Sequence, residues 1–152
     1  MGGEVPSSFA QGLLSGLALE ALCEAAELPL RAHPATLESP RLRGVADVRP
    51  LRHGDTIDLG GSRLRAHATP GHAPGHLAFE WVERGALFTG DHVMGWSTSI
   101  ISPPDGDMAA YLESLALLLK RNEGAYCPTH GAAITEPKKT FSFEASGVLI
   151  RQ

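Results

Sequence analysis

The sequence predicts an α/β domain in which a largely antiparallel sheet is flanked by helices, and three observations carry that prediction. Two pairs of alternating segments, Thr56 to Leu59 with Ser62 to Ala68 and His76 to Val82 with Ala86 to Thr89, are joined by Gly60-Gly61 and by Glu83-Arg84-Gly85. Strands linked so tightly must be antiparallel neighbours. Two further stretches, one before Pro29 and one after Asp107, repeat apolar residues at helical spacing.

The first helix is expected to be capped by Ser7 or Ser8, to carry Leu13, Leu14, Leu17, Ala21, Leu22 and Ala25 on one face, and to close at Pro29. Leu28 to His33 then reads as a short strand. Pro34 to Pro50 is Arg- and Pro-rich without periodicity, and is predicted to be an irregular connection, long at about 17 residues for a compact domain. The two hairpins follow. A second helix starts at the N-cap Asp107, presents Met108, Tyr111, Leu112, Leu115, Leu118 and Leu119 as a core stripe, and runs to Gly124. Its apolar residues and the strands around Phe79 and Phe88 are expected to bury against one another. Ala125 to Cys127 is a short strand that leads into His130.

At 152 residues the chain can bury roughly two-thirds of its unfolded surface in one core. It shows no internal repeat and no linker, so a single domain over residues 1–152 is expected. A net charge of -4 with no long basic run argues against electrostatic capture of nucleic acid by the whole domain. No apolar stretch reaches the roughly 20 residues of a membrane span, and the opening residues lack a basic start and an apolar run. A cytoplasmic protein without membrane association is the expectation. Cys23 and Cys127, the two cysteines, are too few and too far apart for a disulfide framework and read as small reduced core residues.

Three short segments carry the chemistry: Thr69-Pro-Gly-His-Ala-Pro-Gly-His76, Phe88-Thr-Gly-Asp-His92 and Cys127-Pro-Thr-His-Gly131. Each sets an imidazole or a carboxylate beside glycine or proline just past a strand end, which is how loops on a rigid sheet present metal ligands. His72 and Asp91 lie on either side of one hairpin, so both loops leave the sheet at the same edge. Zinc at a hydrolytic site takes imidazole and carboxylate ligands at about 2.0 to 2.2 Å and leaves a position for water. Any one of these residues alone is more often a turn or a satisfied polar group; the three in order are the signal. His33, His53, His67 and His92 are read as structural, and Asp105 and Asp107 as turn and cap residues.

These segments resemble T-P-G-H-x-x-x-H, F-x-G-D and P-x-H-G in the downstream half of the metallo-β-lactamase-fold hydrolases, over about Ser8 to Pro137 and most closely from Leu59 to Asp107. The resemblance implies a partial αββα sandwich, in which a mixed, largely antiparallel sheet carries helices outside. It makes His72 a ligand of a first zinc, Asp91 the catalytic carboxylate bridging two zincs, His130 a ligand of the second, and His76 a neighbour of the ligands rather than a ligand. It implies zinc-hydroxide attack on an ester, thioester, phosphodiester or lactam bond, with a small-molecule ester or thioester, or an RNA, as substrate.

The family's upstream H-x-H-x-D-H is not found: no two of the seven histidines stand two residues apart. The chain is therefore expected to start just past that loop, to hold zinc weakly, partially or not at all, and to lack part of the sandwich. The competing reading is a catalytically inactive truncated remnant, or a half-domain completed by another chain or by a second copy. Residues 138–152 depart from the family's pattern, with Thr140 to Arg151 alternating like a strand that could patch a sheet edge.

Overall fold

The computed structural model describes residues 30–37, 47–143 and 149–151, and the chain divides into two compact units after Leu51. The first predicted helix, with Cys23, lies outside the described residues.

In the first unit, β1 (Leu30–Ala32) falls inside the predicted strand and pairs in parallel with β2 (Val48–Pro50), Leu30 opposite Val48. The stretch expected to be irregular thus contains β2 and a short helix, α1 (Pro34–Leu37). Proline suits the first position of a helix because its missing N–H would be unpaired there anyway. The His33 carbonyl and Nδ1 accept from the amides of Thr36 (2.8 Å) and Ala35 (3.2 Å). Neither element shows a periodicity because each is barely one repeat long.

The second unit is built on a six-stranded sheet in the order β3-β4-β5-β6-β7-β8: β3 (Thr56–Asp58), β4 (Arg63–Ala68), β5 (Leu77–Trp81), β6 (Ala86–Gly90), β7 (Ala125–Pro128) and β8 (Ile134–Thr135). Every neighbouring pair is antiparallel except β6 with β7. Both predicted hairpins form. In the first, Gly60 and Gly61 take φ of 71° and 110°, the left-handed pair that a two-residue turn demands, and the Leu59 amide donates to the Ser62 carbonyl at 2.8 Å.

The parallel step from β6 to β7 is made by the second predicted helix, α2 (Met108–Leu119). Asp107 caps it by accepting the Ala110 amide at 3.1 Å, which satisfies one of the unpaired donors of the first turn. The helix ends at Lys120 rather than Gly124. Arg121 leaves the helical path to reach Glu80 at 2.8 Å, and it also pairs with Glu123.

Leu115 and Leu118 of α2 pack with Ala78, Leu87, Val93, Tyr126 and Ile134. Phe79 pairs with Phe88 across the strands and Glu80 with Leu87, and alternate residues of a strand point to opposite faces. Phe79 and Phe88 are therefore on the face away from α2, and the expected burial of the helix against their strands is made through Ala78 and Leu87 on the other face. Trp81 stacks on Phe88 on that other face, with centroids 6.2 Å apart.

After β8, a short helix α3 (Pro137–Thr140) leads into β9 (Phe141–Phe143), which pairs antiparallel with β10 (Leu149–Arg151) as a separate two-stranded sheet. Among the described residues the alternating tail pairs with itself and adds no strand to the main sheet.

Candidate metal centre

His72, Asp91 and His130 come from three different loops, and α2 ties two of them down. The Gly71 carbonyl accepts the Asp107 amide at 2.8 Å, and the Pro70 carbonyl accepts from Ser114 Oγ at 2.8 Å. This pins the His72 loop to the first turns of the helix. Tyr111 donates its hydroxyl to the His92 carbonyl at 3.1 Å, which holds the Asp91 loop to the same helix. The His130 loop follows β7, beside β6, and the Thr129 amide donates to the Gly90 carbonyl at 3.2 Å.

The three predicted donors are brought together around Asp91. His72 Nε2 lies 3.8 Å from Asp91 Oδ2, and His130 Nε2 lies 3.6 Å from Asp91 Oδ1. Both distances exceed a hydrogen bond and approach the separation of about 3.4 Å between two donors on one tetrahedral ion with bonds near 2.1 Å. The His72 ring is oriented: a carbonyl oxygen can only accept, so the 2.7 Å contact from Nδ1 to the Ile100 carbonyl places the proton on Nδ1 and leaves the Nε2 lone pair facing Asp91. Metal-ligating histidines are held in this way. Asp91 Oδ1 is buried without a hydrogen-bond partner among the described residues, and such an oxygen is costly unless a cation or donor meets it.

Two imidazoles about one carboxylate are donors of the kind that would hold divalent metal. The described residues contain no group of three or more His, Cys, Asp or Glu side chains that could hold an ion, and the two histidines face opposite oxygens of Asp91.

His76 lies beside His72. Its ring meets that of His72 edge-on at 6.2 Å, and Nδ1 shares a hydrogen bond with Thr69 Oγ1 at 2.8 Å. Its Nε2 faces Gly90, where a Cβ would come within 2.6 Å of it. Burial, reinforced by His72, pushes its pKa down to about 4, so at neutral pH it adds no charge beside a cation.

His92, read as structural, is fully buried between His76 and Tyr111, with centroids at 5.6 and 4.6 Å. Neither ring nitrogen has a partner among the described residues, and burial drives its pKa down to about 3. A histidine next to a metal-type aspartate was the available signal, but its burial depends on α2, which the local sequence does not reveal. Asp107 is confirmed as a cap. His53 and His67 lie away from this centre, edge to face at 5.6 Å, with His67 Nε2 on Glu80 at 3.0 Å.

Known proteins resemble this chain in sequence and in fold. The lactamase-like protein vrtG of Penicillium aethiopicum is 38% identical over 107 residues, 69% of this chain and 34% of that protein. The atrochrysone carboxyl ACP thioesterase AgnL7 of Paecilomyces divaricatus is 37% identical over 86 residues, 57% of this chain and 26% of that protein. The chain spans about a third of the length of the curated relatives it matches, or less. Among solved structures, TTHA1623 in a di-iron-bound form aligns with a TM-score of 0.68 at 30% identity, covering 86% of this chain and 70% of that one. The family protein TTHA1429 from Thermus thermophilus has the same fold, with a TM-score of 0.68 at 21% identity over 80% of this chain and 52% of that one. The sequence model of the metallo-beta-lactamase superfamily matches residues 17–130, and the chain belongs to that superfamily.

Proposed function

We propose that this chain carries the bridging part of a two-metal hydrolase site and that the bond hydrolysed is an acyl thioester. The observation that carries this reading is Asp91 bracketed by His72 and His130, one imidazole to each carboxylate oxygen. Divalent metal bound there supplies Lewis acidity, which acidifies water and polarises a carbonyl. The protein's part is orientation: Ile100 fixes the His72 tautomer, α2 holds two of the loops, and neutral His76 and His92 leave the centre free of competing positive charge.

Residue chemistry favours a thioester over the phosphodiester alternative. The segments 69–76, 88–108 and 127–132 contain no lysine or arginine, whereas binding of a polyanion draws on such side chains. The thioesterase among the relatives points the same way. In the reaction, a water oxygen bonds to the acyl carbon, the C–S bond breaks, and the thiol leaves with a proton.

A second reading is favoured by the donor count. Among the described residues each ion would meet two protein donors, fewer than the three that catalytic zinc sites usually have, and a chain so equipped would serve as a non-catalytic half-domain or be completed by another chain or a second copy. Hydrolysis of N-acetylcysteamine thioesters by the full chain, assayed with added zinc, manganese or ferrous iron, separates the two. Turnover abolished by Asp91→Asn supports the hydrolase. Background rates with every metal support the half-domain, and turnover that survives Asp91→Asn removes Asp91 from the chemistry.

A further inference from the structure

The loop after Asp91 is tied to all three donor residues yet holds two large apolar side chains out of the core. The Gly95 amide donates to the His130 carbonyl at 2.8 Å, Ser99 Oγ donates to the carbonyls of Asp91 at 2.6 Å and of His92 at 2.9 Å, and the Ile100 carbonyl holds His72. Trp96 is 69% exposed and Ile100 is 70% exposed. The indole rests against the backbone just past His130, where a Cβ on Gly131 would come within 2.7 Å of Trp96 Cδ1. Gly131, at φ 96°, leaves the space that the indole occupies.

A tryptophan and an isoleucine thus stand exposed on one anchored loop, Trp96 against the backbone beside His130 and Ile100 with its carbonyl on His72. Scattered exposed hydrophobics are ordinary, but these two sit on one polar-anchored loop, one next to each histidine. Resting on the thioester reading above, we propose that Trp96 and Ile100 are the acyl-binding wall of this site and favour thioesters of planar, apolar acyl groups over short ones. Trp96 acts as a specificity determinant, since its ring offers a flat face for stacking.

Two measurements on the full chain test this. In a Trp81→Phe background Trp96 is the sole tryptophan, as the sequence holds two. Titration with 2-naphthoate should then quench its fluorescence saturably, about tenfold more weakly with Ile100→Ala added, while acetate gives no change. Absence of saturable quenching, or no effect of Ile100→Ala, overturns the wall. The second compares kcat/KM for 2-naphthoyl and acetyl N-acetylcysteamine thioesters. Trp96→Ala should lower the first at least about tenfold and the second less than about twofold. Equal losses for both overturn a role in selectivity. If neither thioester is hydrolysed, the thioesterase reading fails, and the fluorescence titration alone decides for or against the wall.

Discussion

His72 donates its Nδ1 proton to the Ile100 carbonyl at 2.7 Å, so one hydrogen bond fixes both the tautomer of a candidate ligand and the position of the loop that bears Trp96. The Nε2 lone pair is left facing Asp91. Long-range 15N–1H correlation spectra should show His72 as the Nδ1–H tautomer at neutral pH. An Nε2–H tautomer would mean that the ring is not poised to bind metal through Nε2.

Gly71 is predicted to be intolerant of any side chain. It sits at φ 134°, and a Cβ there would collide with the Tyr111 backbone. Both the strained dihedral and the displaced helix oppose the change. Gly71→Ala should cost at least about 2 kcal/mol in urea denaturation and should weaken metal binding, because the loop that carries His72 moves with it. Gly85→Ala is the control: its φ is also positive, at 58°, but nothing lies within 4 Å of the added Cβ, so its cost should be limited to strain of about 1 kcal/mol.

Stability should fall as the solution is acidified below about pH 6.5, partly through His67. Its ring is held between Glu80 and Arg121, and burial lowers its pKa from the ordinary value of 6.5, with Arg121 and His53 adding to the effect and Glu80 opposing it. The unfolded chain therefore takes up the proton first. His67 contributes its full stability above pH 6.5 and loses it as pH falls towards the folded-state pKa. His76 and His92, with pKa values of about 4 and about 3, act with the same sign. Melting temperatures recorded from pH 7 to pH 5 should drop, and His67→Gln should reduce the slope. A flat profile in the parent protein would contradict the neutral, buried state of these rings.

The hairpins, α2 and the meeting of His72, Asp91 and His130 were legible in the sequence because each rests on a short-range signal. Gly60-Gly61 permits the φ values of its turn, α2 repeats apolar residues at helical spacing, and His72, Asp91 and His130 sit next to glycine. What stayed hidden depends on distant partners. The parallel pairings of β1 with β2 and of β6 with β7 leave no mark within either strand. The early end of α2 follows from Arg121 turning to Glu80 and Glu123. Which face of the sheet α2 covers follows from the register that sets Glu80 opposite Leu87, and a shift of one residue would have reversed it. The burial of His92 and the anchoring of Trp96 on Gly131 likewise arise only when separate loops meet.

Zinc titration of the full chain by calorimetry, with elemental analysis after dialysis, tests most directly the claim that Asp91 offers one oxygen to each of two ions. With His72 on one side and His130 on the other, His72→Ala and His130→Ala should each remove a different binding event, and Asp91→Asn should weaken both by at least about tenfold. Because each ion receives only two of these donors, fewer than two equivalents of zinc should survive dialysis. Two zinc ions per chain retained through dialysis, or Asp91→Asn binding zinc as the parent does, would contradict the account.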